Sequence, residues 1–117
     1  MRKLMNWNEL NTVSQLEQIR EESKEKPVVI FKHSTRCSTS RMVLDRLERN
    51  WKPEELGHVK AYFLDLISYR EVSNQIAEQF DIEHESPQLL IISDGKAIYD
   101  RSHLGIDYHQ IREELKN

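Results

Sequence analysis

Cys37 is the only cysteine of the chain, and the stretch that holds it, Lys32 to Ser40 ("KHSTRCSTS"), is polar on both sides. The thiolate is the reactive form of cysteine, so what matters is whether this thiol sits where ionisation is favoured. No acidic residue lies between Glu25 and Asp45, while Lys26, Lys32, Arg36 and Arg41 all fall in that window. In a chain of net charge -3 this is a local reversal of sign. It favours a thiolate and offers a landing zone for an anionic ligand. Ser40 stands three residues after Cys37, where a dithiol oxidoreductase carries its resolving cysteine. With a single cysteine an intrachain disulfide is excluded by count. A mixed disulfide on Cys37 must therefore be resolved by a thiol from outside. A lone cysteine is more often an inert buried residue, but polar flanks do not resemble a core position.

Other chemistries fit these residues less well. A phosphatase-type loop needs an arginine six places after the cysteine, where this chain has Val43. A cysteine hydrolase needs a general-base histidine against the sulfur, and His33 is an ordinary strand-end histidine on this reading. His33, His58, His84, His103 and His109 show no metal-ligand spacing, so no metal site is expected. A second signal is Ser86-Pro87, just ahead of an apolar run. The residue before a proline is pushed to extended geometry, and the bond between them can be cis. That would hold the backbone of Ser86 open to an extended ligand; the plainer alternative is a proline that starts a strand.

The elements that must position these residues alternate in type. Thr12 to Gln15 has capping-box form and opens a helix to about Glu22 with Val13, Leu16 and Ile19 on one face. Val28 to Phe31 ("VVIF") is a short apolar β-branched run between breaks, which predicts a buried strand. A helix then starts near Cys37 or Ser38, turns Val43 or Leu44, Leu47 and Trp51 to the core, and stops before Pro53. Its free first-turn N–H groups and macrodipole favour negative charge at Cys37. Val59 to Leu66 is the next strand. Ser68 to Glu71 has capping-box form ahead of a helix with Val72, Ile76 and Phe80 inward. Gln88 to Ser93, the turn Asp94-Gly95 and Lys96 to Asp100 predict a hairpin. Asp107 caps a last helix with Tyr108, Ile111 and Leu115 inward, and a further strand is expected around Leu4 to Trp7. The order is that of an α/β, thioredoxin-like fold: a mixed four- or five-stranded sheet with helices on both faces.

The chain as a whole is consistent with that. Its 117 residues are expected to form a single domain, 1–117, with 32% charged and 38% hydrophobic residues. A net negative charge argues against nucleic acid as a partner. No apolar run is long enough to span a membrane, and Met1 to Trp7 lacks a secretory apolar segment, so a cytoplasmic location is expected.

The string "FKHSTRCSTS", continued by "SNQIAEQFDIEHESPQ" (Ser73 to Gln88) and "SHLGI" (Ser102 to Ile106), resembles the monothiol bacilliredoxins of the thioredoxin superfamily over nearly the whole chain. The resemblance implies that Cys37 is the nucleophile, Ser40 occupies the resolving position and Ser86-Pro87 is a cis-proline loop. It implies a cytoplasmic thiol–disulfide oxidoreductase that removes bacillithiol from S-thiolated proteins, with bacillithiol as thiol cosubstrate and no bound cofactor. Lys32, Arg36 and Arg41 are then candidates for the carboxylates of that thiol, and His103 a candidate for the same pocket. One departure stands out: the family motif usually runs Cys-Pro-Ile-Ser, and this chain has Cys37-Ser38-Thr39-Ser40, which frees an amide N–H at Ser38. A different small thiol, of glutathione or coenzyme A type, and a non-catalytic peptide-binding module remain open alternatives.

Overall fold

A computed structural model of the chain describes residues 6–116. Its elements are β1 (Trp7–Glu9), α1 (Ser14–Glu22), β2 (Val28–His33), α2 (Ser38–Asn50), α3 (Pro53–Leu56), β3 (Lys60–Asp65), α4 (Arg70–Gln79), β4 (Gln88–Ser93), β5 (Lys96–Ser102), a 3₁₀ turn (His103–Gly105) and α5 (Tyr108–Lys116). The strands form one sheet in the order β1-β3-β2-β4-β5. β1, β3 and β2 run parallel, while β4 and β5 are antiparallel to their neighbours. The expected mixed sheet is five-stranded, and helices cover both of its faces. Of the strand expected around Leu4 to Trp7, Leu4 lies outside the described residues, and the strand that is described begins at Trp7.

Alternation along each strand divides the core. Val29 and Phe31 of β2, with Ala61, Phe63, Leu89, Ile91 and Tyr99, face α2, α3 and α5. Val28 and Ile30, with Tyr62, Leu64, Leu90 and Ile92, face α1 and α4. β2 is buried at every position and pairs on both sides, which is why it reads as an unbroken apolar run. It extends two residues past Phe31, through Lys32 and His33, and alternation sends these two polar side chains to opposite faces.

Local differences from the sequence pattern have simple causes. Neither capping box supplies a side-chain cap, and α1 and α4 begin after Val13 and Tyr69. Gln15 Oε1 does accept the Thr12 N–H at 3.0 Å, but the Thr12 hydroxyl bonds the side chains of Ser14 and Gln15 and caps no backbone N–H. Ser68 is drawn into a turn on Asp65, whose carboxylate accepts from the Ile67 N–H and the Ser68 hydroxyl. The four-residue α3 opens on Pro53, which suits a first helical position as well as it ends the helix before. The hairpin tip has positive φ at Asp94 (53°) and Gly95 (77°), as a two-residue hairpin turn requires, and is fastened to Ser23 at the end of α1.

Candidate active site

β2 ends at His33, and Ser34 to Arg36 turn the chain into α2. The Cys37 N–H donates to the Ser34 carbonyl at 3.2 Å, and the Cys37 carbonyl accepts the first helical bond, from Arg41, also at 3.2 Å. Its own backbone is extended (φ -116°, ψ 118°), so Cys37 is the N-cap of α2. The sulfur does what a capping oxygen ordinarily does: it accepts the Ser40 N–H at 3.4 Å. No acidic side chain lies in the first turn of α2. Cys37 is half-buried.

Ser40 reaches the sulfur through its backbone and not its side chain. The residue is fully buried (0% exposed), and its hydroxyl accepts the Ser34 N–H at 3.1 Å and bonds His33 Nδ1 at 2.7 Å. His33 is packed between α2 and the sheet, stacked against Phe31 and tilted on Phe63. The loop that carries Cys37 is thus pinned to β2 from below.

Lys32 does not join the cationic landing zone expected of it. Its side chain is fully buried on the α1/α4 face, across the sheet from α2. Its Nζ lies 2.8 Å from His84 Nδ1 and donates to Gln88 Oε1 at 3.1 Å. Strand alternation is the reason: with Phe31 facing α2, Lys32 must face away. Burial disfavours its charge and pulls its pKa down to about 8, against a smaller upward pull from Glu85. Arg36 and Arg41 are exposed on either side of Cys37 and stay available to a charged ligand.

Lys32 pairs with Gln88 in the antiparallel β2–β4 register, so the start of β4 lies beside the end of β2. Ser86-Pro87, immediately before Gln88, therefore comes up next to the loop that carries Cys37. The Ser86–Pro87 peptide is cis. Ser86 Oγ is buried and has no hydrogen-bond partner among the described residues. The Pro87 carbonyl accepts the His103 N–H at 3.0 Å, and His103, at φ 54°, extends its ring to within 3.5 Å of a Glu85 oxygen. His103 is thus brought to the proline loop, with its side chain exposed and turned toward Glu85. The proline loop and the cysteine loop form two walls at one end of the sheet, one of them holding the Cys37 sulfur. Such an arrangement suits exchange with a disulfide laid between them.

The profile of the family Monothiol bacilliredoxin BrxC matches residues 8–111. The chain belongs to the monothiol bacilliredoxin family. Among solved structures it is similar to a protein with a thioredoxin fold at 27% identity and a TM-score of 0.76, covering 93% of this chain and 92% of that one. Thioredoxin from Fasciola hepatica matches at 21% identity and a TM-score of 0.69, over 93% of this chain and 96% of the other. Thioredoxin from Trypanosoma brucei brucei matches at 17% and 0.72, over 97% and 90%. These two establish the shared fold alone. The bacilliredoxin motif thus stands on a thioredoxin fold, with Cys37 at the start of α2.

Two parts of this bacilliredoxin site were missed by reading the sequence: the bond between His33 and Ser40, and the contacts of Lys32 with His84 and Gln88. The signal was present. Two polar residues directly follow a strand that is apolar on both faces, so extending that strand by two positions buries one polar side chain on each face.

Proposed function

We propose that this bacilliredoxin removes bacillithiol from S-thiolated proteins by a single-cysteine route. The Cys37 thiolate attacks the bacillithiol sulfur of a client's mixed disulfide. The client leaves as its thiolate, and a Cys37–bacillithiol disulfide is formed. A second bacillithiol thiolate then attacks the bacillithiol sulfur of that disulfide, regenerating the Cys37 thiolate and releasing bacillithiol disulfide. One disulfide is consumed and one formed in each cycle, with bacillithiol as the reductant. The observation that carries this reading is the Cys37 sulfur itself, half-exposed and bonded to the Ser40 N–H in a chain with no second thiol. Arg36 and Arg41, exposed on either side, are the groups we assign to the carboxylates of the bacillithiol moiety, with Ser86-Pro87 and His103 forming the opposite wall. A thiol pool as reductant belongs to a reducing compartment, which on this reading is the cytoplasm.

The test is intact mass after incubation with bacillithiol disulfide, glutathione disulfide and coenzyme A disulfide, each separately. One bacillithiol adduct is expected, lost on adding reduced bacillithiol and absent from Cys37→Ala. Preference for either of the other thiols would replace the cosubstrate. No adduct from any of them would refute exchange and leave a peptide-binding module.

A further inference from the structure

Lys32 is an expensive residue to bury. An ammonium taken out of water needs partners, and the hydrogen-bond partners of Lys32 among the described residues are His84 Nδ1 and Gln88 Oε1, both uncharged acceptors. Glu85 acts on it only through space. What the lysine obtains in return is geometric. Both acceptors belong to the segment from Glu83 to Gln88, which carries Ser86 and Pro87. Gln88 Nε2 donates to the Glu83 carbonyl at 2.9 Å, closing the segment on itself, and the Ser73 hydroxyl of α4 lies 3.3 Å from the same His84 nitrogen. Pro87 has no N–H, so the segment has one backbone donor fewer with which to hold its shape. Side chains do that work here, and the central one comes from β2, the strand that also leads into Cys37.

The acceptor role of His84 is supported by its surroundings. Although the residue is exposed at the surface, partial desolvation of its ring, then Lys32 and Arg70, hold its pKa below the ordinary histidine value, against Glu85. A neutral ring keeps a lone pair on Nδ1 for Lys32 and its proton on Nε2. Cys37, by contrast, caps α2, which packs on the other face of the sheet, and its sulfur takes its hydrogen bond from the Ser40 N–H.

We propose that Lys32 is a positioning residue of the exchange reaction: by bonding His84 and Gln88 from within, it fixes the Ser86-Pro87 segment against the Cys37 loop, and so governs docking of the disulfide-bearing client and not the reactivity of the sulfur. This rests on the exchange reading above. The probe is a fluorescent peptide whose one cysteine carries bacillithiol, compared with a small aryl disulfide, dithiobisnitrobenzoate, that needs no peptide groove. In Lys32→Met, KM for the peptide should rise about tenfold, the loss of one charge-assisted hydrogen bond's worth of positioning, with kcat within about twofold. The rate of Cys37 with dithiobisnitrobenzoate should change by less than about twofold. An unchanged peptide KM overturns the proposal. So does a parallel loss of the dithiobisnitrobenzoate rate, which would mean that Lys32 acts on the sulfur or on the whole fold.

The wild type offers a check that needs neither variant nor peptide. Nitrogen NMR of its imidazoles should show His84 protonated at Nε2 with Nδ1 accepting, and an Nδ1–H signal at neutral pH overturns the proposal. Failure of the wild type to turn over the peptide at all would instead refute the exchange reading, so the two failures are told apart by the tautomer.

Discussion

Lys32 also makes a prediction about stability that needs no substrate. Its folded pKa is about 8, below the ordinary 10.5, because burial disfavours the ammonium. Between those two values the unfolded chain binds a proton that the native state has released. Stability linked to this group must therefore rise with pH across that window, and is lowest below about pH 8. The full span of the shift corresponds to about 3 kcal/mol at roughly 1.4 kcal/mol per pKa unit. Only part of it is accessible to experiment, because Tyr62, Tyr99 and Tyr108 have pKa values raised above 10.0, chiefly by burial, and act in the opposite sense above that pH.

Between pH 7 and pH 9 the wild type should gain about 1 kcal/mol relative to Lys32→Met, which carries no titrating group at this position. Urea unfolding at pH 7, 8 and 9 measures this as a difference between two proteins, so every other group that titrates in the window cancels. Methionine fills nearly the same volume, which keeps the comparison on charge and hydrogen bonding. Stability profiles of wild type and variant that run parallel across these pH values would refute the reasoning. They would mean that the native lysine titrates as it does in the unfolded chain, and that its amine reaches water.

Three further outcomes follow from the site and its supports. Ser40→Ala removes the buried oxygen that accepts the Ser34 N–H and bonds His33, and should cost about 2 kcal/mol in urea unfolding. Ser40→Cys puts a second thiol on a residue whose backbone nitrogen is 3.4 Å from the Cys37 sulfur; after loading with bacillithiol disulfide it should expel the adduct unaided, leaving a mass two protons below the reduced form. Glu22 is raised by burial but lowered further by hydrogen bonds from Gln18, Lys60 and Tyr62, for a net pKa below 4.5. Its stabilisation is therefore complete above about pH 4.5 and lost as pH falls through the folded value, and Glu22→Gln should flatten that part of an acid unfolding profile.

The frame of the molecule was legible because strong local signals agreed with the tertiary solution. "VVIF" has no period and breaks on both sides, so only a buried strand satisfies it. Asp94-Gly95 takes the positive φ of a hairpin turn, and Asp107 accepts the Gln110 N–H as a helix cap should. The position of Cys37 was legible for the same reason, since the apolar spacing of α2 fixes where that helix starts. Ser68 was misread because two local motifs compete for one hydroxyl, and Asp65, three residues earlier, wins it. Lys32 was misread for a different reason. A basic residue near a reactive cysteine reads as a ligand for anions in one dimension, and only the face it occupies shows that it points the other way.

That alternation gives the end of β2 its place in the site. Lys32 and His33 are consecutive, so they lie on opposite faces of the sheet by the geometry of any strand. His33 bonds Ser40 on the α2 face and thereby holds the helix start whose N-cap is Cys37. Lys32 bonds His84 and Gln88 on the other face and holds the segment that carries Ser86 and Pro87. The two walls of the site are contributed by different parts of the chain, and one dipeptide ties both to the same central strand. A slip of one residue in the β2 register would exchange the two side chains between faces and release both walls together. The apolar run ahead of them, Val28 to Phe31, alternates into two separate cores and so fixes the register that the site depends on.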